Sequence, residues 1–114
     1  MLWTGLEVAE TLAKEGISHE VVDLRTLLPY DRDAVLQSVR KCSEVILLHE
    51  DTRTGGMAGE LEALIAEKAF EDLDGPIVRV TAPNTPVPFM PPLEEFFLPN
   101  AKKVIEAARR LAAY

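Results

Sequence analysis

Val45-Ile46-Leu47-Leu48-His49-Glu50-Asp51-Thr52-Arg53-Thr54-Gly55-Gly56 is the stretch on which the fold turns. Four apolar residues stop at three polar ones, and a glycine pair then opens a helical pattern at Met57. An unbroken apolar run, in place of an alternating one, marks a parallel strand whose sheet is covered by helices on both faces. In open α/β sheets, ligands and chemistry collect at the carboxyl ends of such strands, ahead of the next helix. His49 and Glu50 are therefore a candidate polar site. Histidine can move protons near neutral pH, but a His-Glu pair at a strand end more often satisfies backbone groups or an interface. Gly55 and Gly56 could form an anion-binding nest at a helix start, but a bare Gly-Gly is a weak signal and a tight turn explains it fully.

Outward from this stretch the chain reads helix, strand, helix, strand, helix, strand, long loop, helix. Leu2, Leu6, Ala9 and Ala13 recur at helical spacing, and Gly16 is placed to close that helix, Met1–Glu15. Glu20–Leu24 reads as a short strand. Asp31 suits the cap of a short helix carrying Ala34, Val35 and Val39 inward. Past Gly56, Met57, Leu61, Leu64, Ile65 and Ala69 line one side of a third helix. Asp74-Gly75-Pro76 is a turn, and Ile77–Val80 is the third strand. Asn100 caps a final helix with Val104, Ile105, Ala108 and Leu111 inward.

Between the last strand and the last helix, Thr81–Asn100 holds Pro83, Pro86, Pro88, Pro91, Pro92 and Pro99. Prolines remove backbone donors and favour extended chain, so no regular element is expected there. A loop of that length is usually functional or lies on a neighbour. Phe89, Met90, Phe96, Phe97 and Leu98 give it apolar material to bury. Strands alternating with helices predict a mainly parallel sheet in a three-layer α/β/α arrangement. The opening helix would ordinarily cross over from a preceding strand, so a strand is expected to be missing ahead of it.

The 114 residues fit one domain, 1–114. Formal net charge is −7, from 12 basic and 19 acidic residues. That argues against sequence-independent nucleic-acid binding, which needs a basic surface. It suits solubility or a basic protein partner. The single cysteine, Cys42, excludes an internal disulfide and a multi-cysteine zinc site, and is expected to be a buried thiol. No apolar run approaches the roughly 20 residues of a membrane span. Trp3 and Gly5 follow Met1 without a basic region, so no secretory signal is read and a cytoplasmic location is the default. His19 is expected at the surface; Asp23 and Arg25 are placed to pair or to reach an interface.

Three segments, Glu20–Asp31, Val45–Phe89 and Leu98–Leu111, resemble the β subunit of thiamine-diphosphate-dependent 2-oxo acid dehydrogenases in order and spacing. The resemblance is to that subunit's C-terminal domain, the transketolase C-terminal-like domain, and covers essentially the whole chain. His49-Glu50-Asp51-Thr52-Arg53-Thr54-Gly55-Gly56 leans toward branched-chain (2-oxoisovalerate) members, with pyruvate members close. In such a fold the missing strand lies between Glu20–Leu24 and Val45–His49, with an antiparallel edge strand ahead of it. The gap is expected either to close or to be filled by another chain.

The resemblance implies oxidative decarboxylation of a 2-oxo acid with acyl transfer to a lipoyl group, carried out by the parent enzyme. It places thiamine diphosphate and magnesium outside this chain, so no catalytic, cofactor or metal residue is assigned and no catalysis by this chain alone is expected. The implied partners are a second β subunit, an α subunit or fused α domain, and the basic peripheral subunit-binding domain of the acyltransferase. Glu71, Asp72, Asp74 and Tyr114 are the candidate docking residues; a solvated helix end is the plainer account of the three acids. Two other readings remain: a transketolase or deoxyxylulose-phosphate synthase relative, and a free-standing acidic interaction domain.

Overall fold

The computed structural model describes all residues, 1–114. In chain order the elements are α1 (Leu2–Ala13), α2 (Arg32–Cys42), β1 (Ile46–Thr52), α3 (Met57–Ala69), a 3-10 turn (Phe70–Asp72), β2 (Val78–Ala82), α4 (Pro91–Phe97) and α5 (Ala101–Ala112). β1 and β2 pair in parallel, with Ile46 opposite Val78 and Leu48 opposite Val80. Successive side chains on a strand point to opposite faces. Leu47 joins Val35, Leu36, Val39, Leu64 and Ile65 in a core beneath α2 and α3. Ile46, Leu48 and Val80 turn the other way, to Val8, Leu12, Val104 and Ala108 of α1 and α5. The apolar run is unbroken because both faces of β1 are covered, and the layers are α/β/α.

Local chemistry sets the helix ends. The Asp31 carboxylate accepts from the Ala34 N–H at 2.9 Å, and the Asn100 side chain accepts from the Lys103 N–H at 3.0 Å. Each satisfies a first-turn donor that has no helical partner. Gly16 takes φ +81°, which lets the Ile17 N–H reach back to the Leu12 carbonyl at 3.0 Å.

Four expectations are corrected. Glu20–Leu24 is not a strand: no backbone N–H from Ser18 to Leu24 donates to a backbone carbonyl, and Val21 and Val22 are exposed. A strand is defined by its neighbour, and this segment has none, so the sheet has two strands and the gap is not closed. The proline-rich loop contains α4, because Pro91 and Pro92 occupy its first turn, where a missing N–H costs nothing. In α1 the buried residues are Val8 and Leu12, which pack on α5; the stripe Leu2, Leu6 and Ala13 is exposed, with no strand beneath it. Cys42 is exposed: it is the last residue of α2, past the turns that bury Val35, Leu36 and Val39.

Two ion pairs tie the periphery down. Arg109 of α5 donates from Nε to Glu15 at 3.0 Å, just past α1, and this bond holds the Glu15 carboxyl below its ordinary 4.5. Lys41 of α2 bonds Glu20; that bond, then one from Ser38, lowers Glu20, while Glu20 raises Lys41 above its ordinary 10.5. Depressed carboxylates stabilise the fold above their unfolded value and lose that contribution as pH falls through the folded one. A raised lysine contributes fully below its unfolded value and loses the contribution as pH rises through the folded one. The urea midpoint is therefore expected to fall below about pH 5 and above about pH 10. Glu15→Gln and Glu20→Gln should flatten the acid limb; an unchanged acid limb in both variants would refute this assignment.

Candidate functional site

The polar triplet lies inside β1, at an irregularity in the ladder. Leu48 faces Val80 and Thr52 faces Ala82, so His49, Glu50 and Asp51 together oppose the single residue Thr81. Such bulges re-aim side chains and often mark sites. Here the side chains are spent largely on the bulge itself. His49 Nδ1 accepts from the Asp51 N–H at 3.1 Å, and the Asp51 carboxylate accepts from the Thr52 N–H at 2.7 Å. His49 Nε2 is buried without a partner. Glu50 is exposed, 3.7 Å from the Met1 amino group at the start of α1. No carboxylate reaches the imidazole, so His49 and Glu50 do not form an acid–base dyad. The histidine takes the backbone-satisfying role.

The turn after β1 is held from two directions. Gly55 adopts φ +78°, a conformation L side chains rarely take, in open surroundings. Gly56 is extended but crowded: a Cβ there would overlap the Thr52 carbonyl oxygen and lie 2.7 Å from His49 Cε1. Thr54 N–H donates to Asn84 Oδ1 at 2.9 Å, and Asn84 Nδ2 donates to Thr54 Oγ1 at 2.7 Å. These bonds clasp the loop after β1 to the loop after β2. Asn84 was not singled out by sequence reasoning; its only signal is an amide between two prolines, which does not name a partner 30 residues away.

Arg53 and Arg79 also reciprocate: Arg53 Nη1 donates to the Arg79 carbonyl at 3.2 Å, and Arg79 Nη1 to the Arg53 carbonyl at 3.4 Å. Arg79 Nε further pairs with Glu62 at 3.0 Å. An open hollow of about 480 Å³ lies beside them, lined only by polar residues and glycines, Glu60 and Gly59 among them. The donor set does not fit thiamine diphosphate with magnesium. No three His, Cys, Asp or Glu side chains come together in the manner a metal ion needs, and the hollow sets two arginines against the one carboxylate of Glu60. No step through that cofactor is derived for these residues.

The candidate docking residues fall at the far end of α3. Glu71 and Asp72 lie in the 3-10 turn, and Asp72 is paired with Arg40 at 3.5 Å. Asp74 donates its N–H to the Ser43 carbonyl at 2.9 Å. Gly75 backs onto Tyr114: a Cβ there would stand 3.5 Å from Tyr114 Cβ. The structure thus brings Gly75, the residue after Asp74, against Tyr114, with Asp74 and Glu71 exposed. Asp23 and Arg25 pair at 3.7 Å on the surface. His19 is partly buried, its Nδ1 3.4 Å from the Ile17 carbonyl. No helix is long and apolar enough to cross a membrane.

Comparison with known proteins bears on all of these features together. The family model described as transketolase, C-terminal domain, matches residues 1–104. The chain is 43% identical over 110 residues to the 2-oxoisovalerate dehydrogenase subunit beta of Bacillus subtilis, covering 96% of this chain and 34% of that protein. It is 44% identical over 110 residues to the acetoin:2,6-dichlorophenolindophenol oxidoreductase subunit beta of Cupriavidus necator, with 96% and 32% covered. It is 40% identical over 114 residues to the pyruvate dehydrogenase E1 component subunit beta of Bacillus subtilis, with 100% and 35% covered. Among solved structures, a split-gene transketolase described as an inactive beta4 tetramer superposes with TM-score 0.83 at 27% identity, over 96% of this chain and 35% of that one. The chain spans about a third of the length of the relatives it matches. Identity does not separate the three substrates these relatives are named for.

Proposed function

Because this chain belongs to the transketolase C-terminal domain family, we propose that it serves as the C-terminal assembly domain of the decarboxylating component of a 2-oxo acid dehydrogenase. Its partners in that role are a second β subunit, an α subunit or fused α domain, and the acyltransferase's basic subunit-binding domain. Thiamine diphosphate and magnesium belong to the parent enzyme, outside residues 1–114. Relatives named for 2-oxoisovalerate, acetoin and pyruvate oxidation support the reaction class and leave the substrate open. The neighbour described as an inactive beta4 tetramer supports a fold that assembles without catalysing.

The observation that carries the reading is how much large apolar surface stays in water. Phe89, Met90, Leu93 and Phe96 are exposed around α4, Leu27 and Leu28 on the loop before α2, and Trp3 on α1 at 81%. Monomeric proteins scatter such residues singly; grouped, they mark interfaces. The open edge of β1 and the unpaired segment Ser18–Leu24 add backbone groups in want of a partner. A strand from outside these residues, lying between them, would satisfy both.

Docking is assigned to Glu71, Asp72, Asp74 and Tyr114: the carboxylates follow α3, and Gly75, next in sequence to Asp74, lies against Tyr114. Sedimentation equilibrium, with and without the basic subunit-binding domain of the acyltransferase, tests both roles. A dimer that binds the domain is the expected result, with Glu71→Lys and Asp74→Lys together weakening binding about tenfold. Unchanged binding in that variant would remove docking from this surface. A monomer that binds nothing would remove the assembly reading.

A further inference from the structure

The outer edge of β2 is open, and its surroundings are charged in a way the rest of the chain is not. The Val78 N–H donates to the Val45 carbonyl at 3.0 Å, so Val78 and Val80 face β1, and by the alternation of a parallel ladder Arg79 and Thr81 turn their backbone groups outward. A groove of about 390 Å³ runs along this edge, walled by α5 and floored by β2. Arg53, Arg79, Lys103 and Arg110 line it against the single carboxylate of Glu106, in a chain whose net charge is −7. Lys103, Glu106 and Arg110 fall on one face of α5 at helical spacing, spanning about 10 Å.

Three of these cations lack a carboxylate partner. The ion pairs of the fold engage Arg79, through Glu62, but neither Arg53 nor Lys103 nor Arg110. Lys103 Nζ is held at the mouth of the groove, donating to the Leu98 carbonyl at 3.0 Å and lying 5.2 Å above the Phe96 ring, itself 74% exposed. Arg53 donates to the outward Arg79 carbonyl, the position where an added strand would donate. The site therefore has unpaired backbone groups for a strand, cations for its side chains, and a displaceable arginine over one acceptor.

We propose that the β2 edge is a docking groove for an extended acidic peptide segment, which adds as a strand beside Arg79 and Thr81 and sets its carboxylates against Arg53, Lys103 and Arg110. Main-chain bonds give such an interaction its affinity and side-chain complementarity its choice of partner. A second copy of this chain is the disfavoured occupant, since a two-fold edge pairing would bring the same cations face to face. Nucleic acid is disfavoured by the overall negative charge. The competing account is that the cations only protect the edge from pairing, as edge lysines and arginines do in many sheets.

The test uses fluorescein-labelled peptides of about ten residues. One alternates glutamate with valine, one replaces each glutamate by lysine, and one replaces the valines by proline so that the ladder donors are lost. Anisotropy titration is expected to show binding of the first, weakening with salt, and at least about tenfold weaker binding of the other two. Arg110→Glu should weaken the first by about fivefold, while Lys102→Glu, an exposed charge-matched change outside the groove, should alter it less than about twofold. Amide exchange at Thr81 should slow about tenfold on binding. No binding of the alternating acidic peptide would leave only edge protection and overturn the proposal. Equal binding of the proline peptide, or unchanged exchange at Thr81, would overturn strand addition.

Discussion

Replacing Gly56 by alanine is expected to destabilise the domain by about 3 kcal/mol, at the upper end of what overpacking costs. The backbone there has φ −76°, which any residue adopts, so the penalty is not conformational. It is steric: the new methyl would overlap the Thr52 carbonyl oxygen and press within 2.7 Å of His49 Cε1. A side-chain tip can swing away; a carbonyl in the ladder cannot move without carrying β1 with it. The imidazole is also pinned, because its Nδ1 holds the Asp51 N–H inside the bulge. Gly55→Ala is the control. Its φ is +78° and its surroundings are open, so only the left-handed backbone is penalised, by about 1 kcal/mol. Urea denaturation of the two variants separates the causes. If Gly55→Ala proves as costly as Gly56→Ala, the close approach of the α3 start to β1 does not govern this turn.

That contrast also shows what a sequence can and cannot disclose. Two adjacent glycines look alike as letters, yet one is needed for its dihedral and the other for its missing Cβ. The sequence tells which residues have local partners. Asp31 and Asn100 cap their helices through donors three residues on, and both were legible. Leu47 and Leu48 were legible as two-sided because a continuous apolar run has that one physical reading. Glu20–Leu24 failed because its strand character depends on a neighbour, and Val21 and Val22 stay exposed without one. Pro91 and Pro92 misled because proline breaks a helix interior but not its first turn.

The candidate site divides in the same way. His49 was singled out in the sequence, and its Nδ1 accepts the Asp51 N–H. What gives the region its shape, however, lies across long separations: Asn84 to Thr54, and Arg53 with Arg79. Neither pairing has a local signature. The resemblance to 2-oxo acid dehydrogenase β subunits supplied the family, and the family model and relatives bear it out. It did not supply the cationic groove on the β2 edge, because that groove is made by residues 53, 79, 103 and 110 only once the chain has folded.

Truncating the two side chains at the centres of the two cores should unfold the domain outright. Ile65, on α3, and Leu12, on α1, are the largest residues with no exposed surface, the first in the core shared with α2 and the second in the core shared with α5. Deleting a fully buried aliphatic side chain costs about 2–5 kcal/mol, from lost transfer energy and the cavity left behind. Ile65→Ala is expected near 4 kcal/mol, since it sits in the larger cluster between two helices and β1, and Leu12→Ala near 3 kcal/mol. Only 19 of 114 residues are buried, so the domain is expected at the low end of ordinary stability, about 6 kcal/mol. The two sites lie on opposite faces of the sheet and in separate clusters, so their effects should add within about 0.5 kcal/mol. The sum then exceeds the whole stability, and the double variant should show the circular dichroism of an unfolded chain. The single variants should unfold cooperatively at lower urea, with tryptophan fluorescence from Trp3 on α1 and far-ultraviolet dichroism giving one midpoint. Separate midpoints in Leu12→Ala would mean that α1 detaches while β1, β2 and α3 persist. The thin sheet would then hold two independent cores, and the additivity argued here would fail.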